Sequence, residues 1–423
     1  MYILLLVMVF CWLITIVRVI TSSISSDLML FKQARGRRQK SRYHLPTISV
    51  LIPAYNEEFT IARAIESVWS NDYPVSKFEI IVINDGSTDG TKEAVKEFKR
   101  THKNGAKVRL INRPNKGKAR ALNYALRRCA TGQLVTCLDA DTYLNHKALR
   151  NAAQYFKNRK TVALCCYADI IEDGTMLALA QRIEYVMSYR YKSGHTHMGV
   201  NYIIPGTGSV FRRRMLKRIQ YYESNTLTED LDLTMKILAN KKRDERIDYA
   251  PDVVAYTEAV HSMGPLVRQR FRWSYGRAQV FLKYSNLFFS RNSQHNKRLT
   301  WGMLPFSLVQ DLAFLLSPVV ALYLTYYAFH YGNLGMISGG TLAVAVYLAM
   351  CIWSVEHLSL KDKLRLTYYA PPMYLIIYVT AAADYYALMK AILLAPKLKA
   401  SIKQRHFTWR SPERRKEVVA STV

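Results

Sequence analysis

Hydrophobic residues are distributed along this chain in three regimes. Residues 1–20, MYILLLVMVFCWLITIVRVI, are apolar and carry no charge before Arg18. A helix needs about 20 such residues to cross a bilayer. Residues 44–260 alternate short aliphatic runs with stretches whose apolar positions recur at helical spacing. Three further apolar stretches follow, at about 304–331, 335–356 and 366–395.

The middle regime predicts an α/β domain. ISVLIPAYN reads as a buried strand and FTIARAIESVWS as an amphipathic helix. EIIVINDGSTDGT reads as a second strand ending in a turn that opens the helix TKEAVKEFKR. VRLINR, GKARALNYALRRCA and QLVTCLDADTYL continue as strand, helix and strand. This alternation implies βαβ units and a mostly parallel sheet. Ligands bind such sheets beyond the C-terminal strand ends. The polar segments PAYNEE, NDGSTDG and LDADT stand at three of those ends.

The outer regimes predict membrane segments. The first apolar run has no basic stretch before it and no small-x-small site closely after it, which favours an uncleaved anchor over a signal peptide. Next comes FKQARGRRQKSR, with Lys32, Arg35, Arg37, Arg38, Lys40 and Arg42 and no acid. Beside an anchor, such a run suits anionic lipid better than nucleic acid. The positive-inside rule makes this side cytoplasmic and turns the N-terminus outward. Asp311 and Asp384 fall inside apolar stretches, where acids face protein or a water-filled cavity. Pro305, Pro318, Pro371 and Pro372 suggest kinked or broken helices. Three C-terminal spans would put the strongly basic tail KLKASIKQRHFTWRSPERRKE outside, against the same rule.

Composition narrows the class. The chain has 423 residues, is half hydrophobic and carries a net charge of +29. A simple cytosolic enzyme, a disordered chain and a disulfide-stapled domain are excluded. Cys11, Cys129, Cys137, Cys165, Cys166 and Cys351 include no CxxC pair and read as reduced thiols in a cytosol-facing domain.

Singly, the polar motifs are weak. DGSTDGT, with Asp85 and Asp89, is an ordinary turn sequence, and Asp139 and Asp141 form a DxD pair that many proteins contain by chance. Two hard oxygen donors that leave sites open suit Mg²⁺ or Mn²⁺ holding a diphosphate. Neither a GxxxxGK[ST] loop nor a GxGxxG after the first strand occurs, which argues against a P-loop enzyme and a dinucleotide cofactor. In LTEDLDL, Glu229 and Asp230 open a helix after Thr228, a suitable cap. VRQRFRWSYG carries Gln269, Arg272 and Trp273 on a basic, aromatic stretch that also suits a membrane-surface helix.

Taken in order, Asp85, Asp139–Asp141, Thr228–Asp230 and Gln269-x-x-Arg272-Trp273 resemble the processive family-2 glycosyltransferases, the chitin, hyaluronan, cellulose and poly-N-acetylglucosamine synthases. The resemblance covers roughly 46–290. It implies an α/β GT-A fold (Rossmann-like, with a mostly parallel sheet) in the cytosol, plus an α-helical transmembrane bundle. The segment Pro53-Ala54-Tyr55-Asn56-Glu57 and Asp85 would hold uridine, and Asp139 and Asp141 the metal and diphosphate. Asp230 would be the general base, with Glu229 beside it. Gln269 and Arg272 would grip the diphosphate, and Trp273 would stack under the acceptor sugar. Lys116 and Lys118 both fall where the family has a diphosphate-binding base. Gly206, Thr207 and Gly208 resemble its acceptor-side glycine motif.

The organisation implied is an N-terminal span at 1–22, a basic linker at 23–43, the glycosyltransferase domain at 44–260, amphipathic interface helices at 261–300, a bundle of about three spans at 301–396 and a basic tail at 397–423. The expected partners are a UDP-sugar donor, the growing polysaccharide and membrane lipids, with room for accessory membrane or cell-wall proteins and no nucleic acid. The expected place is the plasma membrane, multi-pass, with the catalytic domain cytoplasmic. QxxRW favours a processive synthase over single-sugar transfer to a lipid carrier. Gly276 after the RW pair resembles the chitin-like, poly-N-acetylglucosamine and cellulose synthases more than the hyaluronan synthases, and the tail FTWRSPER is similar to tails of poly-N-acetylglucosamine synthases; together these resemblances lean towards N-acetylglucosamine, leaving hyaluronan- and glucan-type synthases as alternatives.

Overall fold

The computed structural model describes residues 2–36 and 45–403. Helix α1 (Tyr2–Gly36) is followed by β1 (Ile48–Ala54), α2 (Ile61–Trp69), β2 (Phe78–Asn84), α3 (Thr91–Thr101), β3 (Val108–Asn112) and α4 (Lys118–Arg128). Then come β4 (Leu134–Cys137), β5 (Thr142–Leu144), α5 (Ala148–Tyr155), β6 (Thr161–Ile171) and α6 (Met176–Met198). Strand β7 (Val210–Arg212), α7 (Arg213–Arg218), α8 (Glu229–Asn240) and β8 (Arg246–Glu258) complete the α/β part. The remainder is helical: α9 (Met263–Lys283), a π-turn (Arg298–Met303) running into α10 (Leu304–His330), α11 (Leu334–Ser354), α12 (Leu360–Leu393) and α13 (Leu398–Lys403).

The eight strands form one sheet in the order β3-β2-β1-β4-β7-β6-β8-β5. Its central strands are apolar runs because they are covered on both faces. Alternate residues of β1 show this. Val50 and Ile52 pack with Ile61, Ile65 and Val95 from α2 and α3, whereas Leu51 packs with Ala121, Leu122 and Ala125 of α4 and Ile183 of α6. The parallel expectation holds for β3-β2-β1-β4 and for β6 with β8. Strand β7 runs antiparallel to both β4 and β6, and β5 antiparallel to β8, so the sheet is mixed. QLVTCLDADTYL is therefore two strands, not one. Its chain leaves β1 after Leu138, whose N–H donates to the Leu51 carbonyl at 2.9 Å. It turns through Asp139 and pairs on the far edge with β8.

Helix α1 continues well past residue 22, to Gly36, so the expected linker begins as helix. Arg37, Arg38, Lys40 and Arg42, and the tail from 404 onward with FTWRSPER, lie outside the described residues. Among those described, two helical segments are long and apolar enough to cross a membrane, Val9–Met29 and Arg298–His330; Ser338–Ser354 is a shorter apolar helix. The prolines interrupt no helix: Pro305 stands where the π-turn passes into α10, and Pro318, Pro371 and Pro372 are accommodated within continuous helices. All six cysteines are unpaired and buried.

Candidate active site

Strands β2, β1 and β4 are parallel neighbours, so their C-terminal ends open on one side. Beyond those ends lies a cavity of about 1430 Å³. Pro53, Tyr55, Glu57, Asp85, Lys116, Lys118, Asp139, Asp141, Gly206, Thr207, Glu229, Asp230, Gln269, Arg272 and Trp273 all line it. Of the residues singled out in the sequence, Asn56, Asp89, Gly208 and Gly276 are not among the lining residues.

Asp85 follows β2 directly and is buried. Its carboxylate accepts the backbone N–H groups of Gly117 at 2.8 Å and Lys116 at 3.2 Å. Burial raises its pKa, and those two N–H groups and Arg113 counteract part of the rise. Gly86 before this loop has φ +78°, and a Cβ there would meet the Asn115 nitrogen at 2.6 Å, so the loop closes only over glycine. On the β1 side, the Glu57 N–H donates to the Thr91 hydroxyl at 2.8 Å, tying PAYNEE to the start of α3, and the Thr60 hydroxyl before α2 donates to the Glu57 carboxylate at 2.9 Å.

The DxD turn is held from two sides. The Asp139 N–H donates to the Thr207 hydroxyl at 3.0 Å, and the Gly208 N–H donates to the Cys137 carbonyl at 2.7 Å. Gly208 therefore acts from behind the cavity. It has φ +70°, and a Cβ there would stand 2.7 Å from that of Ala255. Gly206 faces the cavity, where a Cβ would come within 3.2 Å of an Asp230 carboxylate oxygen.

The two lysines separate clearly. Lys116 contributes its main chain to Asp85, whereas the Lys118 ammonium lies 2.6 Å from Asp139 and 3.3 Å from Glu229. Burial opposes the charge on Lys118, but Asp139 and Glu229 outweigh it and hold its pKa well above the usual range. At Glu229, burial works against ionisation, yet Lys118 and Arg272 carry its pKa below the ordinary value. Asp230 responds oppositely. Burial first, and then the Glu229 charge, push its carboxyl up to about 6, with Lys118 opposing. Two adjacent acids at the start of α8 thus take different protonation roles, one firmly anionic and one able to bind a proton near neutrality. The expected Thr228 cap is absent, since its side chain makes no capping bond; Gly276 of α9 packs against it instead.

Asp139 and Asp141 fit a hard divalent cation. Burial raises the Asp139 pKa, and the neighbouring Asp141 charge adds to that rise against the pull of Lys118, a repulsion that a cation would relieve. Among the described residues no group of three or more His, Cys, Asp or Glu could cage a metal by itself. Phosphate oxygens would have to complete the shell.

Helix α9 presents Gln269, Arg272 and Trp273 to the same cavity. The sequence reading passed over Arg270, which lies between them. Its guanidinium stacks 4.8 Å from the Trp273 ring centre and pairs with Glu184 of α6 and, at 3.5 Å, with Asp384 of α12. Arg277, one heptad later, binds Asp311 at 2.6 Å. Asp311 and Asp384 both line the cavity, so each is at once an interhelical partner and a lining residue. Two arginines on one predicted helix, seven residues apart, together with acids in apolar stretches, were the signal available in the sequence.

Residues 49–220 match the family described as Glycosyl transferase family 2. Over 239 residues the chain is 33% identical to a poly-beta-1,6-N-acetyl-D-glucosamine synthase of Staphylococcus epidermidis, covering 56% of each chain. Over 282 residues it is 31% identical to the synthase of the same name from Staphylococcus aureus, covering 66% of this chain and 65% of that one. Each match thus spans less than two thirds of the relative's length. A mannosyltransferase from Pyrobaculum calidifontis, solved with GDP-Man and Mn²⁺, superposes with a TM-score of 0.56 at 21% identity, over 92% of this chain and 99% of that one. That likeness shows a shared GT-A fold. Residues 49–220 thus form a glycosyl transferase family 2 domain, and the chain is similar over the stretches given to the poly-beta-1,6-N-acetyl-D-glucosamine synthases.

Proposed function

We propose that this protein is a membrane-embedded, inverting glycosyltransferase that polymerises a UDP-sugar, UDP-N-acetylglucosamine by preference, into a β-linked polysaccharide passed out through its own membrane helices. The observation that carries this reading is the convergence of Asp85, Asp139, Asp141, Asp230, Arg272 and Trp273 on one cavity. The family match and the names of the staphylococcal relatives support the class and the choice of sugar.

In this reading Asp85 and the Pro53–Glu57 segment bind the uridine, while Lys118, Gln269 and Arg272 face the diphosphate. Asp139 and Asp141 would hold Mg²⁺ or Mn²⁺, which when bound neutralises charge on the leaving diphosphate. Trp273 offers a flat apolar face to the acceptor sugar. The acceptor hydroxyl gives its proton to Asp230 as its oxygen bonds to C1, and the C1–phosphate bond breaks to release UDP. Attack opposite an α-linked leaving group gives a β-linkage. A carboxyl at about 6 suits that base, ionised at neutral pH yet basic enough to accept a proton. Arg18 of α1, Asp311 of α10 and Asp384 of α12 line the same cavity, which supports a product path beside the membrane helices. We place the protein in the plasma membrane, with the catalytic domain in the cytoplasm.

The test is to incubate purified protein with a panel of UDP-sugars and Mg²⁺ or Mn²⁺, measuring UDP release and product length together. Long polymer from UDP-N-acetylglucosamine is expected. Release coupled to single-sugar products would replace this reading with transfer to a lipid carrier, and a preference for another donor would point to a hyaluronan- or glucan-type synthase.

A further inference from the structure

We propose that α12 does not cross the membrane but lies along its surface on the side of the catalytic domain, with an outward apolar stripe in the lipid, so that the C-terminal end stays on that side. The inference rests on the membrane-enzyme reading above.

Length does not decide the matter. Between Arg365 and Lys390 the helix holds 24 residues with Asp384 as the one charge. At about 1.5 Å per residue that stretch could span a hydrocarbon core of about 30 Å. Anchorage decides it. Just before α12, His357 reaches Asp169 of β6 at 3.2 Å, and in its first turns Arg365 pairs with Glu172 and Asp362 with Arg182 at 3.6 Å. Its second half is held chiefly by α9, whose Gln269, Arg272 and Trp273 face the catalytic cavity on the same side. Ala383 packs on Val260 and Leu266, Asp384 meets Arg270, and the Lys390 ammonium sits 5.0 Å from the centre of the Phe271 ring. Beyond it, the Ser401 hydroxyl lies 2.9 Å from the Gln279 amide nitrogen of α9. A domain confined to one side of a bilayer cannot hold both ends of a helix that crosses it.

The surface pattern fits an interfacial helix. Leu364, Tyr368, Val379, Tyr386, Met389 and Leu393 recur at steps that keep them on one face, and all are exposed, Tyr368 by 79%. The opposite face, with Leu366, Ala370, Thr380, Ala383, Ala387 and Ala391, is buried in the protein. Lys361, Lys363 and Arg365 at one end and Lys390 at the other suit anionic headgroups. Leu322 of α10 is likewise exposed, by 72%. With α10 leading away and α11 returning, an even number of C-terminal crossings keeps the basic tail inside. This removes the conflict that three spans created with the positive-inside rule.

Sealed membrane vesicles holding the full chain test this. Single cysteines are introduced as Lys363→Cys, Lys397→Cys and Asn333→Cys and treated with an impermeant maleimide. Lys363→Cys and Lys397→Cys should react from the face that exposes the catalytic domain, and Asn333→Cys, between α10 and α11, from the other. Reaction of Lys363→Cys and Lys397→Cys from opposite faces overturns the proposal while leaving the membrane enzyme intact. Release of the protein by alkaline carbonate would sink both. As a second measure, a fluorophore at Leu364→Cys, Val379→Cys and Leu393→Cys should be quenched equally by headgroup-level spin-labelled lipid. Deeper quenching at Val379→Cys than at the ends would identify a span.

Discussion

Gly276→Ala should impair catalysis without weakening the fold. Gly276 lies in α9, three residues after Trp273, and faces Thr228, which precedes Glu229 and Asp230. A Cβ at Gly276 would stand 2.6 Å from Thr228 Cγ2 and 2.7 Å from its Oγ1. Carbon atoms rest at about 3.5 Å, so α8 and α9 must part by about 1 Å. The packing cost is about 1–3 kcal/mol, and replacing glycine inside a helix returns about 1 kcal/mol, so global stability should change little. Geometry suffers more, because a misplacement of about 1 Å can cost about 10²-fold in rate. The expected result is a loss of turnover of about 10–10²-fold, measured as UDP release with the melting temperature followed in parallel. Thr228→Ala removes Cγ2 and Oγ1 and leaves only Cβ, at 3.1 Å. Because that hydroxyl makes no capping bond, the single Thr228→Ala change should be mild, and the double variant should recover most of the lost rate. Wild-type turnover from Gly276→Ala, or a double variant no better than the single, would refute the argument that this contact sets the position of Asp230.

Asp230, held at about 6, predicts that kcat/KM falls about tenfold per pH unit below about pH 6, as protonation removes the base. Glu229→Gln should move that limb to lower pH, because a negative neighbour is lost; an unmoved limb assigns the titration elsewhere. Asp230→Asn should retain UDP binding and lose about 10²–10⁴-fold in transfer, and turnover above a tenth of wild type would remove it as the base. Asp139→Asn or Asp141→Asn should weaken Mn²⁺-dependent UDP binding in calorimetry, whereas full activity in excess chelator would exclude the cation. Trp273→Ala should stop chain extension more than UDP hydrolysis, since water needs no stacking platform. Arg270→Lys, which keeps the charge but loses the planar stack, should shorten polymer in the same direction, and equal loss of both signals would leave neither residue a role at the acceptor.

The sequence was enough to read the β1-α2-β2-α3-β3-α4-β4 run, because buried parallel strands are continuous apolar runs and their helices carry a 3.6-residue period. It was also enough to set PAYNEE, Asp85 and the DxD pair at one edge, since the C-terminal ends of parallel strands share a side. Three things were decided only in three dimensions. The DxD segment ends one strand and begins another across the sheet, because β5 finds its partner in β8, whose pairing spans more than a hundred residues of chain. Lys118 rather than Lys116 reaches the carboxylates, because the α4 N-terminus points its side chain inward while Lys116 spends its N–H on Asp85. Local periodicity could not tell whether α12 crosses a membrane or hugs a domain, since both demand one long apolar face. What separates them is where His357, Arg365, Asp384 and Lys390 find their partners. Those contacts join residues that lie far apart in the chain, and long-range pairing is information that hydrophobic spacing does not carry.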